Sequence, residues 1–330
     1  MSAKPTISES SPSGAKKGRV LLELALIAAC FLVMAIFVRL YWVVDFCIFC
    51  ILVLSFDLLY GYMGRLTFGH VLYYGTGGYV ASLVLVHLSP NPFLAIAVGV
   101  ASGTLIAVVL GSILVRLRDA PFALSNLAFN QIGFWLANAG LQDYTEGEDG
   151  LSSMAESIGF LDFTSQPVAF GFMLVCMLLV FWLLRTFTLS PYGVMVRSIK
   201  ENEERVKFLG YSTYFYKWLT FVVCSSLATF AGTLYALYYG FVAPNLLNPF
   251  GNIEIIFAVL IGGAGNLFGA LAGGVVFKLM SNYLATAISR WELLMGVLLL
   301  ILVFRFKRGL TGYAIDLRLR ISRRRAAEEA

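Results

Sequence analysis

Apolar stretches separated by short polar breaks fill this chain from residue 20 to residue 306. Runs at 20–38, 41–60, 93–115, 121–141, 167–187, 218–240 and 267–288 approach the ~20 residues that an α-helix needs to cross a bilayer core. Another run enters through 61–79 and ends near Leu88, and the runs at 253–264 and 291–306 are shorter. Backbone in lipid must satisfy its own hydrogen bonds, so runs of this kind predict an all-α polytopic membrane protein. Lys4, Lys16, Lys17 and Arg19 precede the first run and a basic tail follows the last, which places both ends in the cytoplasm. Both ends inside require an even number of crossings. Counting 253–264 as a crossing gives ten, whereas a re-entrant 253–264 would leave nine, so about ten transmembrane helices are expected. The chain then divides into a disordered cytoplasmic segment at 1–19, a membrane domain at 20–306 and a basic cytoplasmic tail at 307–330.

Two polar stretches interrupt this pattern. Residues 141–166 carry Asp143, Glu146, Glu148, Asp149, Glu156 and Asp162 with no Lys or Arg, which marks an extracytoplasmic loop. Residues 190–217 mix Arg197, Lys200, Arg205, Lys207 and Lys217 with Glu201, Glu203 and Glu204. Ser190 is a good N-cap, Pro191 suits the first helical position and Gly210 suits a left-handed residue past the helix end. The spacing predicts a helix over 191–209 lying on the cytoplasmic face, either a solvated connector or a docking element for a soluble motor. Elsewhere, Asp45 and Asp57 fall in the second run, where a carboxylate faces the protein interior or sits near an interface; Asp45 is close enough to the start to be interfacial, and Asp57, one turn from the end, could be so too. Glu254 opens the short run, and Lys278, midway along its own run, faces protein or snorkels.

Composition narrows the function. The chain is 59% hydrophobic and 13% charged, about half the charge of a soluble domain. The net charge of +5 gathers at the ends and around Ser190, as topology bias does, and points to no nucleic acid. Cys30, Cys47, Cys50, Cys176 and Cys224 all sit in apolar runs, where packing or lipid contact is their expected role. No G-x-x-x-x-G-K-[ST] loop, Cys/His cluster or nucleophile–base pair is present, so the chain is not expected to be an enzyme or to hold a cofactor or metal itself. Glycine crowds 61–79, at Gly64, Gly69, Gly75, Gly77 and Gly78 among others, and recurs at Gly262, Gly263 and Gly265. Glycine permits either a broken helix lining a path or tight helix packing. If the halves are inverted repeats, the two clusters occupy matching positions, which points to a transport path. His70 could be a ligand or proton carrier, though a lone His is more often packed. Asn126 and Asn130, four apart, share a helix face that packs or lines a pathway.

The segments GYMGRLTFGH, GTGGY, RLRDAPFALSNLAF, TEGEDGLS, SPYGVMVRSIKENEERVKFLGYSTYFYKWLTFVV and LIGGAGNLFGALAG, in this order over nearly the whole chain, resemble a LivM-type permease of branched-chain amino-acid ABC importers. The resemblance implies a bacterial inner-membrane subunit that pairs with a LivH-type permease, two LivG/LivF-type ATPases and an extracytoplasmic solute-binding protein. ATP and Mg would be bound by the ATPases. It further implies that residues 190–217 form the coupling region. In the looser importer pattern a Glu is followed six residues later by Gly, which fits Glu204 and Gly210, with Glu203 as the alternative register. Arg205 and Val206 stand where many importers have Ala. Arg197, Glu203, Glu204, Arg205 and Gly210 are then the coupling residues. Gly64, Gly69, His70, Gly75, Gly77, Gly78, Asn126, Asn130, Gly262, Gly263 and Gly265 would line or gate the path. Related permeases carry urea, short amides or aromatic acids. The rival of another class is an ion-coupled secondary transporter, which would need an acid deep in a span.

Overall fold

The computed structural model describes residues 12–155, 163, 165–287, 293, 296, 297 and 309. Eleven α-helices run in order: α1 (Pro12–Phe37), α2 (Leu40–Asp57), α3 (His70–Leu83), α4 (Pro92–Leu114), α5 (Asp119–Trp135), α6 (Gln142–Thr145), α7 (Gln166–Leu189), α8 (Pro191–Phe208), α9 (Thr213–Tyr239), α10 (Phe250–Gly262) and α11 (Leu267–Ala287). Helices α2, α3 and α5 each continue into one π-helical turn, at Leu58–Tyr62, Val84–Leu88 and Leu136–Gly140. The strands β1 (Leu151–Ser152) and β2 (Phe241–Val242) pair antiparallel. Seven helices among the described residues are long and apolar enough to cross a membrane: 20–37, 40–62, 70–88, 92–114, 166–189, 213–239 and 267–286. The predicted fifth run forms α5, which is not among the seven, and α10 is apolar but shorter. The expected crossing at 291–306, the tail at 307–330, and Glu156 and Asp162 of the acidic loop lie outside the described residues, as does 1–11 of the expected disordered segment; helix α1 already begins at Pro12.

The bundle is built around α2 and α9. Helix α2 is buried from Val43 to Asp57 except at Asp45, and α9 packs on α2, α3 and α4. Lipid chains are as apolar as Leu, so burial alone cannot hold such helices together, and close backbone approach must. The sequence supplies it. On α4 the buried residues Ala95, Gly99, Gly103, Ala107 and Gly111 recur every fourth position and so form one narrow stripe. A Cβ on Gly99 would meet Thr233, and one on Gly103 would meet Thr229, both on α9. Helices α10 and α11 approach as closely, because Gly262 lies against the Gly269 carbonyl and Gly273 against that of Ala258.

Residues 240–265 run the length of α2. At one end Tyr239 donates a hydrogen bond to Asp45 (3.1 Å), and at the other the Gly265 N–H donates to Asp57 (2.8 Å). Asp45 and Asp57 are twelve residues apart, about 18 Å along a helix. The stretch 241–249, with a 3-10 turn at Pro244–Leu247, and the short helix α10 together cover that distance.

Candidate functional site

The face of the bundle that carries α8 is held by charge. Ser190 caps α8 as its sequence predicts, accepting from the Gly193 N–H, with Pro191 at the first position. The expected unbroken helix over 191–209 is interrupted at Asn202, whose backbone is extended (φ −158°, ψ 94°). The Asn202 side chain accepts from the Arg205 N–H (2.9 Å) and so caps a second short helix over 203–208. Gly210 adopts φ +86°, the left-handed conformation its position called for.

The break puts Glu203 at a helix start, directed into the bundle. Its carboxylate meets Lys217 at 2.8 Å, Lys207 at 3.3 Å and Arg65 at 3.4 Å, and accepts from the Thr213 hydroxyl at 3.1 Å. Burial opposes its charge, but hydrogen bonds and charge from Lys217 and Lys207 outweigh it and hold the carboxyl at about 2. Arg65 lies in the loop between the α2 π turn and α3, and it also donates to the Leu117 carbonyl (2.8 Å). Glu204 is exposed. A hydrogen bond from Arg118, then Lys207, keeps its carboxyl below the usual range. Arg205 is exposed, and Arg197 stacks over the Tyr62 ring at 4.8 Å. Glu203 is therefore committed within the chain. Beside it Phe208, Leu209, Tyr211 and Phe215 are exposed apolar surface.

Lys200 ties α8 to the membrane helices. Its ammonium donates to the Gly61 carbonyl (2.6 Å), and its stem occupies the space that a side chain on Gly64 (φ +76°) would fill. One turn earlier Asp57 accepts from the Gly265 N–H. The two glycine clusters, 61–64 and 262–265, thus meet at this face. Asp57 is fully buried, and the helix continues past it to Tyr62.

Deeper in the bundle, neutral groups take over. Asn252 accepts from the N–H groups of His70 (2.7 Å) and Val71 (3.1 Å), capping α3 from another helix. Its amide donates to Asn130 Oδ1 (3.1 Å), and Asn130 donates to the Leu247 carbonyl (2.7 Å). His70 Nε2 pairs with the Ser55 hydroxyl (2.8 Å), edge-on to Phe56. All four polar side chains are buried. Asn126 bonds only within its helix, to the Phe122 carbonyl, and its backbone carbonyl packs on Gly69. Gly75 and Gly78 lie under Leu247 and Leu246, and Gly77 lies on the Thr229 carbonyl.

A cavity of about 900 Å³ opens beyond this network, among α2, α3, α9, α10, α11 and the 241–251 stretch. Gly251 and Gly296 line it, but none of the glycines expected along a path does, nor His70, Asn126 or Asn130. Those groups are spent on packing and on backbone caps. The wall holds Asp45 and Lys278 instead, 3.2 Å apart, with the Lys278 ammonium 4.7 Å from the Phe49 ring. Asp45 was expected at an interface; it is paired because α11 brings Lys278 across to it. Sequence reasoning also missed Asn252 and Asn202, each inside a stretch read only for its boundaries. Among the described residues no cluster of His, Cys, Asp or Glu could hold a metal.

Comparison with known proteins gives the arrangement a family. The family model described as branched-chain amino acid transport system / permease component matches residues 38–304. The chain is 24% identical over 285 residues to the high-affinity branched-chain amino acid transport system permease protein LivM of Escherichia coli K12, covering 78% of this chain and 66% of that one. The LivM of Salmonella typhimurium is 27% identical over 290 residues, with the same coverages. The LivH of Salmonella typhimurium is 23% identical over 283 residues, covering 80% of this chain and 91% of LivH. The chain thus spans 66% of the length of these LivM relatives. No solved structure matches it. The family match takes in most of the sequence, including every element that meets at α8 and at the cavity, and the chain belongs to the branched-chain amino acid transport permease family.

Proposed function

We propose that this chain is one half of the membrane domain of an ABC importer for branched-chain or other hydrophobic amino acids. It lies in a bacterial inner membrane with both termini in the cytoplasm and crosses about ten times, α5 and α10 included. A LivH-type permease forms the other half. Two LivG/LivF-type ATPases bind ATP and Mg below, and a solute-binding protein docks above, where the acidic 141–166 loop lies. This chain hydrolyses nothing itself.

The observation that carries this reading is the way α8 is anchored. Its exposed apolar end, with Glu204 and Arg205, offers a surface to an ATPase. Its buried side holds the α2–α3 loop through Arg65, the end of α2 through Lys200, and the start of α9 through Lys217. A displacement of α8 must therefore move three membrane helices. ATP binding by the partners would bias one of two packings of the permease pair, a population shift set by differential binding energy.

The test is Lys200→Met in the complex reconstituted with its ATPases. The variant should assemble normally yet lose at least tenfold in uptake per ATP hydrolysed. Unchanged coupling, or uptake that survives removal of ATP, would refute the assignment.

A further inference from the structure

The cavity wall pairs one carboxylate with one ammonium beside a group of aromatic and aliphatic side chains. Asp45 and Lys278 lie 3.2 Å apart with side chains 15% and 21% exposed. Phe49, Leu52, Phe257 and Phe277 provide apolar wall beside them. Charges on spanning helices are costly and face the protein interior, an aqueous cavity or an interface. A purely structural pair would be sealed by packing. This one borders empty space, and its surroundings recur on three helices, with Tyr239 donating to Asp45 from α9 and Asn245 and Asn248 reaching the same wall from the 241–251 stretch.

We infer that Asp45 and Lys278 form a two-pole site for a zwitterion with an apolar side chain, lined up inside the cavity. The inference rests on the importer reading above and assigns residues to it. The α-ammonium of the solute would pair with Asp45, its α-carboxylate with Lys278, and its side chain would lie against the phenylalanines. When the site is empty its two charges neutralise each other. When a zwitterion enters, one ion pair is exchanged for two and the total charge is unchanged. A simple amine or a simple acid satisfies one pole and leaves the other buried without a partner, the arrangement that low-dielectric surroundings penalise most. The cavity would therefore reject singly charged analogues even if the binding protein delivered them. Glu254 also lies on the wall and acts electrostatically on Lys278, so its charge belongs in the comparison.

The experiment uses the full transporter in proteoliposomes with its binding protein, and reads leucine uptake, ATP hydrolysis and folded yield. Wild-type complex that hydrolyses ATP but imports no amino acid would overturn the importer reading itself. With wild-type import established, Asp45→Asn and Lys278→Gln should each lower uptake at least tenfold while stimulation of ATP hydrolysis by the binding protein persists. The exchanged double variant, Asp45→Lys with Lys278→Asp, decides between an ion pair and a site. It should recover folded yield but not uptake, because the poles now face the solute in reverse. The charge-preserving variants Asp45→Glu and Lys278→Arg should fold and raise the uptake KM several-fold. Full uptake by the exchanged variant, or unaltered KM in the charge-preserving pair, would overturn the two-pole site while leaving the importer assignment intact. Glu254→Gln should change uptake less than either pole, and a loss larger than theirs would also overturn it.

Discussion

At the α8 face Glu203 gathers Lys217, Lys207, Arg65 and Thr213, whereas deeper in the bundle Asn252 gathers His70, Val71 and Asn130. Both residues join three or more segments that lie far apart in sequence. They differ in chemistry because they differ in depth. Near the surface, water and neighbouring cations tolerate a full charge, and the cluster can loosen and re-form. In the interior an unpaired charge would be prohibitive, so the join is made by amide, imidazole, hydroxyl and backbone groups that each find a partner. The first arrangement suits a part that moves and the second a part that must stay.

That contrast can be broken at measurable points. Asn252→Leu should have the largest effect. It strips partners from two backbone N–H groups and from Asn130 at once, at about 1–3 kcal/mol for each orphaned group. Thermal unfolding in detergent should show a heavily destabilised protein, and a transition within two degrees of wild type would remove Asn252 from its central place. Gly77→Val comes next. Its side chain would fall on the Thr229 backbone, which cannot swing aside, at about 1–3 kcal/mol of overpacking. The same assay should register it without loss of the α8 contacts. Glu203→Gln should be the mildest for stability, about 1–2 kcal/mol, since the amide oxygen can still accept from Lys217 and Thr213. It carries a pH signature of its own. The folded-state carboxyl sits near 2, below the ordinary value of about 4.3. Its stabilising contribution is therefore full above about 4.3 and fades as pH falls toward 2. Stability measured from pH 6 to pH 3 should decline less steeply in Glu203→Gln than in wild type; parallel curves would show that the cluster does not depend on its charge.

Much of the fold could be read from local pattern. Ser190, Pro191 and Gly210 announced the limits of α8, and the apolar runs located the helices, because caps, turns and hydropathy act over a few residues. The glycine clusters at 61–64 and 262–265 meet through Asp57 and Gly265, a contact that local pattern did not show. What local pattern could not supply was partner choice. Asn252 stood in an uncharged stretch with nothing to mark it, and its partners lie 122 and 182 residues away. Asp45 and Lys278 each looked like an isolated charge near or within a span. The glycines of α3 had two physical uses open to them, and only the position of Thr229 and Leu247 shows that packing is the one realised. The short helix after Asn202 was hidden because its residues suit a continuous helix equally well.

Lys200 takes hold of a main-chain oxygen at Gly61, not of any side chain. Every residue type has such an oxygen, so this linkage would survive wholesale replacement of the groups that line the passage. On the proposed reading, the groups that line the passage could change while the linkage between α8 and the membrane helices stayed the same.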